Sequence, residues 1–528
     1  MDYDVIIVGT GPAGVSAAFP LLKAGRKVLM IDAGGDDDAP DPPRGDYLSL
    51  RATDRTQWNW LAGADYYAIK SAHATSPKLR IPNLAGTFAG FNEANRVVCE
   101  NFTSIGSLAS GGLSNAWGAG VARFDAAELA TFPFAPADLD AGFAAVARRI
   151  GLSGSSADDL SGYFGLDDLA TEPLPLDANC TLLFDRYRRR RGGVTQAGLR
   201  IGRARLALLT QDKGSRLGCD HTGLCLWGCR RGAMYSARYD LAELRRYPNL
   251  THLTGQVVER LSRDGEGWLV QSVERKTKIA RSISARKVVL AAGTIATSAI
   301  ALRSLGRVGQ PLRLLSNPTA AFVLILPGRI GRPVEAGHNM AQLMASVDGV
   351  SEFGNVHCGL FAASHLPARE FVSRFPLSRA VALDLWRMLM PATAVGNCFL
   401  PGGHSNHSLT LQADDRIMIR GSAGQTLDAA MRGLRHVLAK GFRKLGAIIP
   451  PGGFLPGSPG SDIHYAGTLP MSSDGGIGTT RPGGELVGLP GVYVADAACL
   501  PILPSKPHTL TMMANAHRIG AELASFGA

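Results

Sequence analysis

Residues 4–32 read DVIIVGTGPAGVSAAFPLLKAGRKVLMID. An apolar run, DVIIV, is cut by GTGPAG; a helical pattern follows, and a second apolar run, KVLMID, closes the unit. That order is strand, glycine turn, helix, strand, the βαβ unit of about thirty residues that binds dinucleotides. Gly9 permits the tight turn, Gly11 lets a pyrophosphate approach the backbone, and Gly14 lets helix and strand pack closely. The N-terminus of the helix that follows offers free N–H groups and a positive dipole end to phosphate. Asp32 ends the second strand, placed to accept a hydrogen bond from a ribose hydroxyl. A lone glycine triad says little. With a strand on each side and an acid closing the second, it specifies a dinucleotide site, with Gly9, Gly11, Pro12, Gly14 and Asp32 as candidate contacts.

Outward from this unit the chain runs to 528 residues, long enough for two intimately packed domains. Hydrophobic residues make up 45% and charged residues 19%, which excludes a disordered chain and leaves an ample core. The start, MDYDVIIVG, enters a strand directly without the basic, apolar and cleavage regions of a signal peptide. Apolar runs such as AAFVLIL (320–326) are too short to span a bilayer. Cytoplasmic residence is therefore the expectation, with export on a signal-bearing partner as the alternative. The net charge of +11 has one dense cluster, RYRRRR (186–191). It reads as a solvated helix face or loop; phosphates or a membrane surface are alternatives. No aromatic-interleaved basic stripe accompanies it, so no nucleic-acid partner is expected.

Further phrases carry chemistry. GQVVERLSRDGEGWLVQSVERKTKIARSISARKVVLAAG (255–293) reads as strand, turn, strand, then a third apolar run ending in Ala-Ala-Gly. GVYVADAACLP (491–501) is another short strand followed by an acid, and SIGSLASGGLSNAWGAG (104–120) is a loop of small residues. HYAGTLPM (464–471) and SKPHTLTMMANAH (505–517) contain His464 and His508. In this order the phrases resemble the glucose–methanol–choline (GMC) family of FAD oxidoreductases, with motifs of its sugar and gluconate dehydrogenase and pyranose-oxidase-like branches. The resemblance covers residues 1–35, about 105–120, 205–300 and 460–528.

The resemblance implies FAD as the cofactor. It puts Val257 beside the adenine, Ala292 and Gly293 against the dinucleotide, and Asp496 with Ala497 near the ribityl chain and pyrophosphate. A buried acid capping the final helix is the other reading of Asp496. Gly111, Gly112, Ser114, Asn115, Ala116 and Trp117 would form the flavin loop. Pyranose oxidases carry a histidine, bonded covalently to FAD, at the position of Ala116, so noncovalent binding is expected here. The family phrase His-x-x-Gly-Thr corresponds to His464, and the second catalytic position to His508, followed by Thr509. The implied reaction takes an alcohol to a carbonyl, most readily on a sugar, polyol or glycoside. A base removes the hydroxyl proton while hydride leaves for flavin N5. Imidazole suits that role because its pKa lies near neutrality, and two imidazoles on one oxygen also fix its geometry. The alternative is a sterol or long-chain alcohol oxidase using dioxygen.

Eight cysteines are present; Cys99, Cys180, Cys358, Cys398 and Cys499 stand apart and read as buried thiols. Cys219, Cys225 and Cys229 cluster as C-x5-C-x3-C, with His221 and Gly223 between them. Three thiolates on such a loop are candidate metal ligands. The segment, with GAMY (232–235) after it, resembles that of FAD-dependent sugar and gluconate dehydrogenases, whose three cysteines hold a 3Fe–4S cluster. It departs from them at Arg230, where proline commonly follows the last cysteine. A loop of free thiols, or one disulfide, is the alternative. A cluster implies an electron-accepting partner subunit; its absence leaves dioxygen or a soluble acceptor.

The fold expected is α/β: a Rossmann-type FAD-binding domain (1–35, 101–120, 205–310, 460–528) interleaved with an α+β substrate domain (36–100, 121–204, 311–459) whose sheet roofs the flavin. Within the latter, 134–154 and 426–447 show helical spacing, and TAAFVLILPG and NHSLTLQADDRIMIRG read as strands. FPLSRAVALDLWRMLMPA (375–392) reads as a buried helix, with a lid or membrane-touching helix as alternatives. His404, Asn406 and His407 read as solvated loop residues, with contacts to substrate hydroxyls as the alternative.

Overall fold

The computed structural model describes residues 2–35, 41–71, 76–335 and 337–525. The opening unit forms β1 (Tyr3–Val8), α1 (Pro12–Lys23) and β2 (Val28–Ile31), with β1 and β2 parallel. β3 (Val97–Glu100), α2 (Ala178–Thr195) and β4 (Leu199–Arg203) follow. Then come β5 (Leu250–Leu253), β6 (Gln256–Asp264), β7 (Gly267–Glu274), β8 (Ala280–Leu290) and α3 (Thr294–Leu305). The middle of the chain supplies β9 (Leu312–Ser316), β10 (Thr319–Ile325), β11 (Leu343–Val347) and β12 (Val356–Ala362). It continues with α4 (Arg379–Leu389), β13 (Thr393–Phe399), β14 (His407–Leu411), β15 (Ile417–Arg420) and α5 (Leu427–Lys444). β16 (Phe454–Pro456), β17 (Tyr465–Ala466), β18 (Val492–Val494) and α6 (Thr509–Ser525) complete it.

Three sheets result. The first runs β5-β2-β1-β8-β7-β6, with β18 also on β8. Its strands β5, β2, β1, β8 and β18 are parallel, and Val8, Ile31, Leu290 and Val494 stand in register at their carboxyl ends. Gly9, Asp32, Ala291 and Ala495 therefore leave the sheet along one edge, the edge where such sheets bind ligands. The second sheet, β16-β10-β13-β12-β11-β4, is antiparallel throughout. Alternation gives it two faces. Phe322, Leu343, Leu360 and Cys398 pack in one apolar core with residues of α2 and α5, while Met344 and Phe361 join the core of the dinucleotide half. The third, β17-β9-β14-β15-β3, draws strands from both ends and the middle of the chain.

Four local expectations need correction. The segment 375–392 is not a buried helix: α4 buries only Ala382 and Trp386 and leaves Val381 54% and Met388 52% exposed. Its Arg387–Asp384 pair faces water, and Trp386 is anchored by stacking on Phe371 at 3.9 Å. His404 and His407 are buried, unlike exposed Asn406. The His404 ring bonds Thr426 and Ser351, and His407 Nδ1 accepts the Ser422 N–H. Cys358 and Cys398 do not stand apart: the β12–β13 register sets them opposite each other, sulfurs 3.0 Å apart. RYRRRR lies on α2, partly bonded rather than simply solvated. Arg186 and Arg190 donate to the carbonyls of Leu445 and Lys444 at the end of α5, and Arg191 pairs with Asp159.

Burial holds several imidazoles below their ordinary 6.5: His338, His365, His407 and His508 at about 4, and His357 at about 3. The unfolded chain takes up these protons near pH 6.5, the folded chain only near 4 or below, so between those values the unfolded state binds more protons. The contribution of these rings to stability is expected to fall as pH drops from about 6.5, most of it by about 4 and the His357 part by about 3. Denaturation midpoints recorded from pH 7 to 4 test this; a flat midpoint contradicts neutral burial of these rings.

Candidate active site

Along the ligand edge the glycines differ in what they do. A Cβ on Gly9 would lie 2.4 Å from the Ala291 carbonyl oxygen, and one on Gly14 would lie 2.0 Å from that of Gly9. Both are required by the protein's own packing. Gly11 is different: its φ of −66° suits any residue, and nothing lies within 4 Å of an added Cβ. It is the N-cap of α1 and no side chain caps that helix, so the first-turn donors face this open space. A Cβ on Gly112 would meet only the Gly11 Cα at 3.5 Å, and one on Gly293, at the start of α3, would meet nothing. Open space beside Gly11, Gly112 and Gly293 at a bare helix N-terminus is the cradle a flavin dinucleotide requires.

Other candidate contacts hold this cradle together. Asp32 is buried; its carboxylate accepts the Gly34 N–H at 2.9 Å and the Thr10 hydroxyl, whose oxygen accepts the Gly111 N–H. The Gln256 N–H donates to the Asp32 carbonyl, bringing neighbouring Val257 to the end of β2. Asp496 accepts the Gly293 and Ala498 N–H groups and the Thr297 hydroxyl. It caps the short turn Ala497–Cys499 rather than the last helix, and burial lifts its carboxyl to about 6. In the 104–120 loop, Ser114, Asn115 and Trp117 bond Ala237, Ser236 and Tyr235, while Ala116 packs with Tyr47 and Trp227.

The two histidines, 44 positions apart in sequence, meet. The His464 and His508 rings lie 5.2 Å apart at 82°. His464 leads into β17, paired to β9; His508 sits one residue before α6, its carbonyl accepting the Met512 N–H, and Thr509 opens the helix. His464 Nδ1 is 3.1 Å from Asn317 Oδ1. The Asn317 amide nitrogen donates to the carbonyls of Leu400 at 2.7 Å and Pro504 at 3.0 Å, so its oxygen is the acceptor toward His464. His464 therefore carries its proton on Nδ1 and presents the Nε2 lone pair. Burial first, then the charges of His508, Lys78 and His357, hold its pKa well below 6.5; burial alone brings His508 to about 4. Both rings are neutral near pH 7.

Sequence reasoning missed the supports. Asp462 accepts the Ser316 hydroxyl and the N–H groups of Asn317 and His464, and burial lifts it to about 7. Fully buried Lys506 pairs with Asp125 at 2.8 Å and Glu128 at 2.9 Å, fastening the loop two residues before His508. Lys78 has no ion-pair partner among the described residues, and desolvation lowers it to about 8. Lys506 lies in the same phrase as His508, and Asp462 stands two residues before His464; Asn317 and Lys78 had no sequence signal.

The cysteine loop does not assemble a metal site. Among the described residues no three His, Cys, Asp or Glu side chains group to hold an ion, so Cys219, Cys225, Cys229 and His221 form no such set. Cys225 Sγ accepts the Asn339 N–H at 3.4 Å, and the His221 ring lies against His338. Burial raises Cys219 to about 11 and Cys225 to about 12.

Comparison with known proteins agrees with the architecture. Residues 423–516 match the GMC oxidoreductase family, and residues 2–55 match an FAD binding domain. Over 311 residues the chain is 24% identical to paromamine 6'-oxidase of Streptomyces fradiae, covering 58% of this chain and 50% of that protein. The chain thus matches about half the length of that relative. A stretch of 31 residues is 58% identical to soluble pyridine nucleotide transhydrogenase of Azotobacter vinelandii, 6% of this chain and 7% of that one. The crystal structure of pyridoxine 4-oxidase from Mesorbium loti superposes with a TM-score of 0.60 at 16% identity, covering 98% of this chain and 99% of that one, a likeness of fold.

The glycines separate cofactor from scaffold. Gly11→Ala is expected to leave the thermal midpoint of the cofactor-free chain within about 2 °C while weakening FAD binding about ten-fold or more. Gly14→Ala should lower the midpoint itself. Calorimetry with flavin titration checks both; equal effects on the midpoint would contradict the assignment of open space at Gly11.

Proposed function

We propose that this chain, which belongs to the GMC family of FAD oxidoreductases, oxidises an alcohol to a carbonyl, on a sugar, polyol or glycoside. The observation that carries the reading is the pair of neutral imidazoles, one of them held by Asn317 with its lone pair free. In this reading Gly11, Pro12, Gly112, Gly293, Ala292 and Asp496 line the FAD site, with Asp32 and Val257 at its adenosine end. Residues 1–35, 101–120, 205–310 and 460–528 make up that domain, and 36–100, 121–204 and 311–459 the substrate domain. When bound, FAD supplies the hydride acceptor.

The chain's own residues handle the proton. His464 Nε2 takes it from the substrate hydroxyl, and His508 holds the same oxygen, so the carbon bearing the hydrogen is oriented rather than merely bound. Asn317 and Asp462 keep His464 in the required tautomer and position. The Lys78 ammonium, whose charge reaches His464, favours the negative charge developing on the alcohol oxygen. Paromamine 6'-oxidase and pyridoxine 4-oxidase are oxidases by name, and we extend that to this chain, with dioxygen as the terminal acceptor.

His464→Ala is expected to retain FAD while slowing flavin reduction by substrate about 10²- to 10⁴-fold; normal reduction removes the base assignment. In the wild type the reduction rate should not fall between pH 8 and 6, because His464 stays neutral there. It should fall as pH rises through about 8, where Lys78 loses its proton, and Lys78→Met should abolish that limb. A limb that survives in Lys78→Met contradicts the role given to Lys78. Hydrogen peroxide released in step with substrate consumed tests the acceptor.

A further inference from the structure

We propose that His357 and Tyr163, with the face of Phe399, form a second substrate subsite beside the histidine pair. It takes a neighbouring hydroxyl of a polyhydroxylated ring and disfavours sterols and long-chain alcohols. The inference rests on His464 and His508 being the reacting pair.

The register of the antiparallel sheet builds this subsite. His357 on β12 stands directly opposite Phe399 on β13, so both side chains share a face. The Phe399 ring lies 4.8 Å from His464 at 31°, and the charge of His357 is felt at His464. Tyr163 stacks on His357, ring centroids 6.0 Å apart and 9° from parallel, with Phe164 edge-on to the same imidazole at 5.9 Å. Lys506, which fastens the His508 loop, lies over the Tyr163 ring at 4.6 Å. One chain of packed rings thus joins the roof sheet to both histidines.

Three polar atoms in this chain of rings have no partner among the described residues: His508 Nδ1, in the reacting pair, and two beyond it. His357 is 3% exposed, and its Nδ1 has no hydrogen-bond partner. The Tyr163 hydroxyl, beside Ser505, has none in hydrogen-bonding geometry. His508 Nδ1 belongs to the reacting pair; the His357 and Tyr163 atoms have no evident use inside the protein. Buried polar atoms left unpaired are costly, and an apolar substrate would leave both in that state. A hydroxyl relieves them. Burial and the nearby Lys506 charge keep His357 neutral, so its ring offers one donor and one acceptor nitrogen. That pattern matches an alcohol, which also donates and accepts. The Phe399 and Tyr163 faces supply flat surfaces for the C–H side of a ring.

The test uses the holoenzyme and two matched probes, myo-inositol or methyl glucoside against cyclohexanol or tetrahydropyran-2-methanol. The wild type should reduce its flavin faster with the hydroxyl-rich member of each pair. His357→Phe keeps the stack on Tyr163 and removes both nitrogens. It should cut the ratio of kcat/KM for polyol over single-hydroxyl analogue about ten-fold or more, through KM rather than kcat. Polyol binding to the oxidised enzyme, read by calorimetry, should weaken by the same factor at unchanged FAD content. Tyr163→Phe should shift the ratio in the same direction and serves if His357→Phe fails to fold. An unchanged ratio in both variants, or a wild type that prefers long-chain alcohols or sterols, overturns the inference. Loss of reduction in His464→Ala alongside a silent His357→Phe condemns the subsite alone; unimpaired reduction in His464→Ala condemns the functional reading itself.

Discussion

The Asn317 amide holds the site together. Its nitrogen donates to Leu400 at the end of β13 and to Pro504 in the loop leading to His508, and its oxygen meets His464. With both amide hydrogens committed to carbonyls, the group cannot be turned over without placing oxygen against oxygen twice. The tautomer of His464 follows from that alone. The backbone beneath is strained: Ile463, β-branched, sits at φ +64° between Asp462 and His464. Such a conformation costs on the order of 1–3 kcal/mol and persists only where surroundings over-determine it. Here the three bonds to the Asp462 carboxylate do so.

The same constraint explains why binding edge and histidine pair form one rigid body. β17, next to His464, pairs with β9, and the Tyr465 carbonyl accepts the Thr294 hydroxyl at the start of α3. That start is the Gly293 end of the cofactor cradle, itself tied to Asp496. From the other side, α6 begins directly after His508 and packs backbone to backbone against α1: a Cβ on Gly520 would lie 2.3 Å from the Ala17 carbonyl oxygen. The helix that caps the cofactor's phosphates and the helix that positions the second imidazole therefore share one close contact. A displacement of either would be felt at the other.

What the sequence disclosed and what it withheld divide by range. The βαβ unit is local: its apolar runs, glycines and terminal acid lie within 29 consecutive residues, residues 4–32, and each has a steric reason. The histidine phrases were visible because motif and chemistry coincide. Asn317 acts from 147 residues away, and His357 matters only because antiparallel register sets it opposite Phe399. No periodicity encodes such pairings. The burial of His404 and the exposure of α4 are also tertiary results. The histidine needed a serine and a threonine brought from 53 and 22 positions away, and the helix needed a partner for its outer face that the fold does not supply. The cysteine spacing was undecided for a related reason: spacing permits a ligand set, but the direction of each sulfur is settled by neighbours such as Asn339.

A difficulty remains in the chemistry, and its resolution bears on the order of events. A general base works best when its pKa lies near the working pH, yet burial and neighbouring positive charge hold His464 well below 6.5. Such a ring is too weak to strip a proton from an alcohol at rest. It does not need to. As hydride departs, the oxygen turns from alcohol toward protonated carbonyl, whose acidity exceeds that of imidazolium by many orders of magnitude. A weak base already hydrogen-bonded to that oxygen then receives the proton without a barrier of its own. The low basicity has a use beforehand, since a stronger base would be protonated at rest and unable to accept. The Lys78 charge lowers the basicity of the ring but opposes positive charge on the oxygen, so it draws proton transfer into step with hydride loss rather than behind it. A site with neutral imidazoles and a nearby cation thus favours proton transfer that accompanies hydride loss over prior formation of an alkoxide.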